Sequence, residues 1–349
     1  MRGKRMKAAV AVAPGKMELL DVPEPAPAPG EVLVRTRFTS PCGSEHHAYL
    51  GEFGARIRFP AIFGHEMSGV VEQAPGGCGL SAGDAVVLDP IISCGECPAC
   101  LDGRTNACRR LRLTGIDVPG GYGELVAVHP EQLVKLPPGV SLEDAAMAEV
   151  HGIGVHALRL GGIEPGDRVI IIGAGKLGLN ILDVLREAAS GALIAVDVDP
   201  FRLGKAVEIG ASHAVNASEA HAAERLLELT GGDGADLVIE AVGSFRETSN
   251  PPPVALALEV VRQAGRILLL GQGEHSAGIH WRTLVWKEAR IITSRTSRGV
   301  FPRVLRMMQE GRLRPQAAVT HKISVEEMPA LFRLMDEGSN GLVKALVHF

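Results

Sequence analysis

Four of the six cysteines in this 349-residue chain fall within one short run, Cys94, Cys97, Cys100 and Cys108. Thiolates are soft ligands, and tetrahedral Zn²⁺ is satisfied by four of them at ~2.3 Å with no position left for a substrate. The expected role is therefore structural. Between Ser93 and Arg110 the only other apolar side chains are Leu101 and two alanines, so a metal would pin a lobe (93–110) that cannot hold itself. An iron–sulfur cluster is the alternative, but it usually wants different spacing and a proline after the last cysteine.

A second set of ligand types is dispersed: Cys42-Gly43-Ser44-Glu45-His46-His47, then Gly64-His65-Glu66, then Glu149 and His151. Cysteine, histidine and carboxylate together can hold Zn²⁺ and leave its fourth position open, the catalytic arrangement. Such a metal stabilises an alkoxide by lowering the pKa of a bound hydroxyl. Each residue also has a plain structural reading, as a buried thiol, a core histidine or a helix-surface charge.

A third pattern concerns nucleotides. Val169 to Ile172 is an apolar β-branched run that suits a parallel strand buried on both faces. Gly173-Ala174-Gly175-Lys176-Leu177-Gly178 follows as G-x-G-x-x-G, and Leu177, Ile181, Leu182 and Leu185 recur at helical spacing. A second run, Leu193 to Val196, ends in Asp197, nineteen residues beyond Gly178, where a dinucleotide site wants a carboxylate for the adenosine ribose. Gly173 allows the turn, Gly175 lets backbone amides approach a pyrophosphate, and Gly178 brings helix close to strand. The helix N-terminus adds free N–H groups and a positive dipole end. Asp197 and Asp199 would repel a 2′-phosphate, so NAD is expected over NADP, with Arg202 the one neighbour arguing otherwise.

These residues need a frame. Residues 7 to about 150 carry short alternating runs broken by Pro and Gly, which predict a β-rich domain with barrel-like closure. From about 156 to 294 strands alternate with helices, as in a doubly wound α/β domain. Helices are expected around Phe201 to Ile209, Glu219 to Leu229 and Val254 to Gln263, with strands at Leu237 to Glu240, Arg266 to Leu270 and Arg290 to Ile292. The tail from 295 holds two helices and a last strand, LVKALVHF, whose alternation suggests a return to the β-rich domain. The expected division is 1–155 plus 295–349 against 156–294, with a cleft between the two for chemistry.

Composition narrows the class further. Hydrophobic content of 46%, charged content of 22% and a net charge of −4 describe an ordinary globular protein with no basic surface for nucleic acid or anionic membrane. No apolar run approaches the ~20 residues needed to span a bilayer. MRGKRMKAAVAVA superficially resembles a leader, but Pro14 cuts its apolar run, so it reads as a first strand, with Met6 an alternative start. Clustered cysteines in a chain of this size indicate reduced thiols and a cytoplasmic setting.

Taken together, Cys42-Gly43-Ser44-x-x-His47, Gly64-His65-Glu66, the four-cysteine run, Glu149 with Val155-His156-Ala157, and the Gly173–Gly178 turn resemble the zinc-dependent medium-chain dehydrogenases. The branch most similar holds sorbitol, threonine and related polyol dehydrogenases, and the similarity extends to GDRVIIIGAG and the closing GLVKALV. The resemblance implies a Rossmann sheet inserted in a split GroES-like barrel, and a homodimer or homotetramer. It also implies two zinc ions per subunit, NAD, and oxidation of a small-molecule secondary alcohol.

By the same resemblance Cys42, His65 and Glu149 are the catalytic zinc ligands, Glu66 is a carboxylate that can approach the metal, and Glu45 holds the far nitrogen of His65. Ser44 passes the substrate proton by way of the nicotinamide ribose to His47. Gly173, Gly175, Lys176, Leu177, Gly178, Asp197, Arg202 and Val242 fall to the cofactor. Glu45 departs from the usual aspartate, Val150 from the usual proline, and His151 competes with Glu149 as a ligand. Tyr49, Phe53, Arg56 and Arg58 are candidate pocket residues. Two rival readings are a zinc-free quinone or enoyl reductase of the same superfamily, and a catalytically idle NAD(H)-binding sensor.

Overall fold

The computed structural model describes residues 4–188, 191–243, 252–272, 279–338 and 341–349. The chain forms two compact units, Met1–Glu149 with Arg298–Phe349, and Val150–Ser297.

In the second unit six strands form one parallel sheet in the order His213–Asn216, Leu193–Asp197, Val169–Ile172, Ala235–Glu240, Val261–Leu269, Arg290–Thr293. Numbered along the chain this is 3-2-1-4-5-6, the doubly wound order in which a dinucleotide binds at the reversal beside strand 1. All four residues of Val169–Ile172 are buried, as a central parallel strand requires. Ile170, Ile194, Val238 and Ile267 from four adjacent strands share one core with Leu256, Val260 and Leu226 from the covering helices.

Two element assignments are corrected here. The helix expected from Glu219 starts at Ala222, because His221 takes a left-handed conformation (φ +67°) and breaks it there. The helix expected to Gln263 ends at Val260, and Val261 enters the strand directly. A register shift opposite Ala235–Leu237 and a left-handed Ala264 (φ +55°) absorb the extra residues.

The first unit is built on a seven-stranded sheet in the order Val319–Ser324, Lys344–His348, Val32–Thr39, Met67–Gln73, Ala85–Leu88, Leu133–Lys135, with Leu125–Val128 also paired to Val32–Thr39. Val32–Thr39 is its hub. Antiparallel Met67–Gln73 lies along one edge, while Leu125–Val128 and the final strand share the other. One core of this unit gathers Val32, Val34, Val71, Val86, Leu88, Val126 and Val128. Cys78 packs half-buried against it, consistent with a small packing residue. Residues from the tail complete a second core, where Phe332, Met328 and Val347 meet Tyr49, Phe63 and Tyr122.

Candidate active site and metal centres

The short helix Gly43–Tyr49 carries most of the dispersed residues. Its first turn is closed by Glu45, whose Oε2 accepts the Cys42 N–H at 2.9 Å, a side-chain cap at the helix start. The other oxygen, Oε1, accepts the N–H groups of Gly64 (3.0 Å) and His65 (2.7 Å). Tyr122 donates its hydroxyl to Oε2. One buried carboxylate therefore ties the Cys42 turn to the His65 turn. The extra methylene of glutamate fits this reach across two loops. Gly64 is required at the junction: its φ is +109°, and a Cβ there would sit 2.7 Å from the Tyr122 N–H nitrogen.

His65 Nδ1 lies 2.7 Å from Glu45 Oε1, at ion-pair distance but without hydrogen-bond geometry. Burial opposes charge on His65, but the Glu45 carboxylate and the Cys42 thiol outweigh it and raise its pKa well above the usual value. Burial likewise pushes Glu45 up, and the His65 charge with the hydrogen bonds from the Tyr122 hydroxyl and the Cys42 N–H overcomes it, holding Glu45 at about 2. Glu45 is thus a fixed anion.

Ligand atoms of Cys42, His65 and Glu66 all lie within 4.8 Å of one another. The set mixes thiolate, imidazole and carboxylate, and two of its three residues are buried. Glu66 Oε2 is buried without a partner in hydrogen-bond geometry, although the Lys344 ammonium lies at ion-pair distance from it. These residues fit zinc. Glu149, in the first turn of the helix Ala148–Gly161, is not part of that tight group but is close enough to feel the charges of His65 and Glu66. Its carboxyl is raised to about 7, first by burial and also by the Glu66 charge, against pulls from His65 and Lys344. His151 is engaged elsewhere, with Nε2 3.2 Å from Asp183 Oδ2.

Lys344, from the final strand, was not expected here. It is fully buried, with Nζ 2.8 Å from both oxygens of Glu66 and 3.2 Å from the Pro41 carbonyl. A lysine inside the apolar run LVKALV was the available signal. His47 Nδ1 meets Glu52, and Ser44 is half-buried on the same helix. Of the pocket candidates, Tyr49 is instead a core residue, 1% exposed, with its hydroxyl given to the Gly15 carbonyl. Arg56 is held by Asp117 through two 2.8 Å bonds and lies over the Phe53 ring, while Arg58 is exposed.

The four-cysteine group also converges, all sulfurs within 4.8 Å. Cys94 and Cys97 stand 3.9 and 3.5 Å from Cys100, close to the ~3.8 Å between corners of a tetrahedron with a ~2.3 Å radius and far beyond a disulfide. Backbone N–H groups of Cys94 and Arg110 point at Cys108 Sγ at 3.3 Å, and those of Glu96 and Cys97 draw the Cys94 thiol down to about 6. The donor set suits a closed zinc site.

At the glycine turn, Gly173 takes φ +101° and a Cβ on Gly178 would lie 1.8 Å from the Gly173 carbonyl oxygen, whereas Gly175 faces open space, with Arg202 4.0 Å away. Asp197 Oδ2 accepts the Ala174 N–H at 2.7 Å, and Oδ1 accepts those of Val198 and Asp199. Arg202 pairs with Asp199 at 3.4 Å. Lys176 and Leu177 open the helix Lys176–Leu185, and Val242 is half-exposed beyond the strand Ala235–Glu240.

A doubly wound sheet with this turn, in a chain whose other unit gathers thiolate, imidazole and carboxylate, defines a nucleotide-linked dehydrogenase class. Residues 28–138 match the alcohol dehydrogenase GroES-like domain and 177–310 the zinc-binding dehydrogenase domain. The L-threonine 3-dehydrogenase of Pyrococcus furiosus is 33% identical over 93% of this chain and 94% of its own. The sorbitol dehydrogenase of Halalkalibacterium halodurans is 29% identical over 93% and 94%. An E. coli CFT073 alcohol dehydrogenase solved with NADH superposes with a TM-score of 0.90 at 29% identity, covering 99% of this chain and 100% of that one. A zinc-binding dehydrogenase from Sinorhizobium meliloti, bound to NADP, gives 0.91 at 28% over 99% and 100%. The chain belongs to the zinc-type medium-chain alcohol dehydrogenase family.

Proposed function

We propose that the protein catalyses reversible, NAD-linked oxidation of a secondary alcohol of the polyol, cyclitol, sugar-derived or amino-alcohol class. The observation that carries this is the convergence of Cys42, His65 and Glu66 within 4.8 Å, in a chain whose other unit has the dinucleotide strand order. Cys42, His65 and Glu66 would hold a zinc ion, with Glu149 at its border. Zinc supplies Lewis acidity that makes a hydroxyl easier to deprotonate. Glu45 holds the His65 imidazole and both ligand turns in place. Ser44 takes the hydroxyl proton and passes it toward His47, whose ring is braced by Glu52. Asp197, set at the glycine turn, favours an unphosphorylated ribose and hence NAD.

A second, structural zinc at the four cysteines, a cytoplasmic setting and a homodimer or homotetramer complete the proposal. The exposed Trp281, Val285 and Trp286, next to the sheet-edge strand Arg290–Thr293, support self-association, which light scattering would test. Activity is tested by following NADH formation with zinc-replete protein across polyols, cyclitols, aldoses, threonine and simple alcohols, each with NAD and NADP. Turnover confined to one polyhydroxylated or amino-alcohol class, faster with NAD, is the expected result. Silence across the panel at full zinc occupancy would favour a nucleotide-binding protein without dehydrogenase activity.

A further inference from the structure

Glu240 ends the strand Ala235–Glu240 in the middle of the parallel sheet and is 3% exposed. Its Oε1 accepts the N–H groups of Val242 at 2.8 Å and Gly243 at 2.9 Å. No lysine, arginine or histidine pairs with it among the described residues. A buried carboxylate without a cationic partner is uncommon. The strap that it holds is tightly packed. A Cβ on Gly271 would fall 2.0 Å from the Gly243 nitrogen and 2.6 Å from Glu240 Oε2, and one on Gly243 would fall 2.1 Å from the Gln272 carbonyl oxygen.

Strand order fixes which half of a dinucleotide would meet this carboxylate. The glycine turn follows Val169–Ile172, whose neighbours end in Asp197 on one side and Glu240 on the other. With the pyrophosphate at the turn and the adenosine ribose at Asp197, the remaining nucleotide extends over the Glu240 side. That nucleotide carries the nicotinamide ring, a cation when oxidised and neutral when reduced.

We propose that Glu240 is a specificity-determining residue: a fixed negative charge on the nicotinamide side that favours the oxidised over the reduced coenzyme, while bracing the Val242–Gly243 strap. The proposal rests on the dinucleotide reading above. A mere loop anchor acts on both redox forms alike, whereas a charge changes their ratio.

The test is equilibrium binding of NAD⁺ and of NADH, by calorimetry, to the full chain. Glu240→Gln keeps an Oε1 acceptor for the strap and removes the charge. It should raise the ratio of the NAD⁺ to the NADH dissociation constant by roughly three- to tenfold, the effect of one partly screened unit charge nearby. Glu240→Asp keeps the charge on a shorter stem and should weaken both forms together, leaving the ratio within about twofold of wild type. Should Glu240→Gln fail to fold by circular dichroism, Val242→Lys adds a compensating charge at a half-exposed position. It should raise the same ratio where Val242→Met does not. Equal changes in both redox forms for Glu240→Gln, or an unmoved ratio with Val242→Lys, overturn the proposal. A wild-type protein that binds neither nucleotide overturns the dinucleotide reading beneath it.

Discussion

Two glycines three residues apart in the same turn should fail in opposite ways when replaced by alanine. At Gly178 the added methyl would lie 1.8 Å from the Gly173 carbonyl oxygen, about 1.4 Å inside an ordinary carbon–oxygen contact. Backbone cannot yield that distance without lifting the helix Lys176–Leu185 from the strand below it. The expected loss is about 2–4 kcal/mol, a melting temperature several degrees lower. At Gly175 the backbone is extended (φ −78°) and the nearest atom to the added methyl is 4.0 Å away. There alanine should leave stability unchanged or raise it by about 0.4–1 kcal/mol through the unfolded chain. Yet that open space is where a pyrophosphate would approach the backbone, so NADH binding should weaken by tenfold or more, about 1.4 kcal/mol. Thermal melts and an NADH fluorescence titration on both variants separate the effects. A Gly175→Ala protein that binds NADH like wild type would refute the assignment of the turn, and a Gly178→Ala protein that melts like wild type would refute the packing.

Three further outcomes follow from other parts of the molecule. Cys94→Ser should lower thermal stability and release one equivalent of zinc from the purified protein, measured by metal analysis beside the melt, because a closed metal site contributes folding energy; full zinc retention would count against the four-thiolate site. Lys344→Met should cost about 3–5 kcal/mol by leaving the Glu66 carboxylate buried without its cation, with Lys344→Met/Glu66→Gln recovering part of the loss in urea melts. Asp236 is pushed up by burial, but the Arg168 N–H and the Arg262 and Arg168 guanidinium groups outweigh this and hold it at about 2, below its usual 3.8. Its stabilisation is therefore fully present above the higher value and lost as pH falls toward the lower, so Asp236→Asn should cost about 1–2 kcal/mol at pH 7 and progressively less between pH 4 and pH 2.

What the sequence made legible was local. The glycine turn, the run of β-branched residues before it and the four clustered cysteines each carry their geometry within a few positions, and the structure builds them in the expected elements. The split of the first unit was readable because the alternation of the tail differs from the strand–helix period before it. What could not be read depends on contacts across hundreds of residues. Glu66 meets Lys344, 278 positions away, and Tyr122 meets Glu45 across 77. His151 and Glu149 sit two residues apart on one helix and look equivalent as ligands, yet only packing against Asp183 tells them apart. Val261 to Gln263 misled for another reason: nothing in VVRQAG announces a left-handed alanine. Glu240 obeys the same rule that drew attention to Asp197, an acid closing a buried parallel strand, but it lacks the fixed distance from the glycines that made Asp197 conspicuous.

The strand Lys344–His348 has a consequence for how the molecule is made. Unit 2 is contiguous, residues 150–297, and can close its six-stranded sheet as soon as Thr293 has left the ribosome. Unit 1 cannot, since its hub strand waits for Val347 and His348 to pair beside Thr39 and Phe38. Synthesis normally completes domains from the N-terminus onward; here the later-made unit finishes first. Throughout that interval Cys42, His65 and Glu66 belong to an unfinished barrel in which the Glu66 carboxylate has no Lys344. Metal capture at this centre would thus be among the last events of biogenesis, while the four cysteines of the lobe, complete by residue 108, could load during translation.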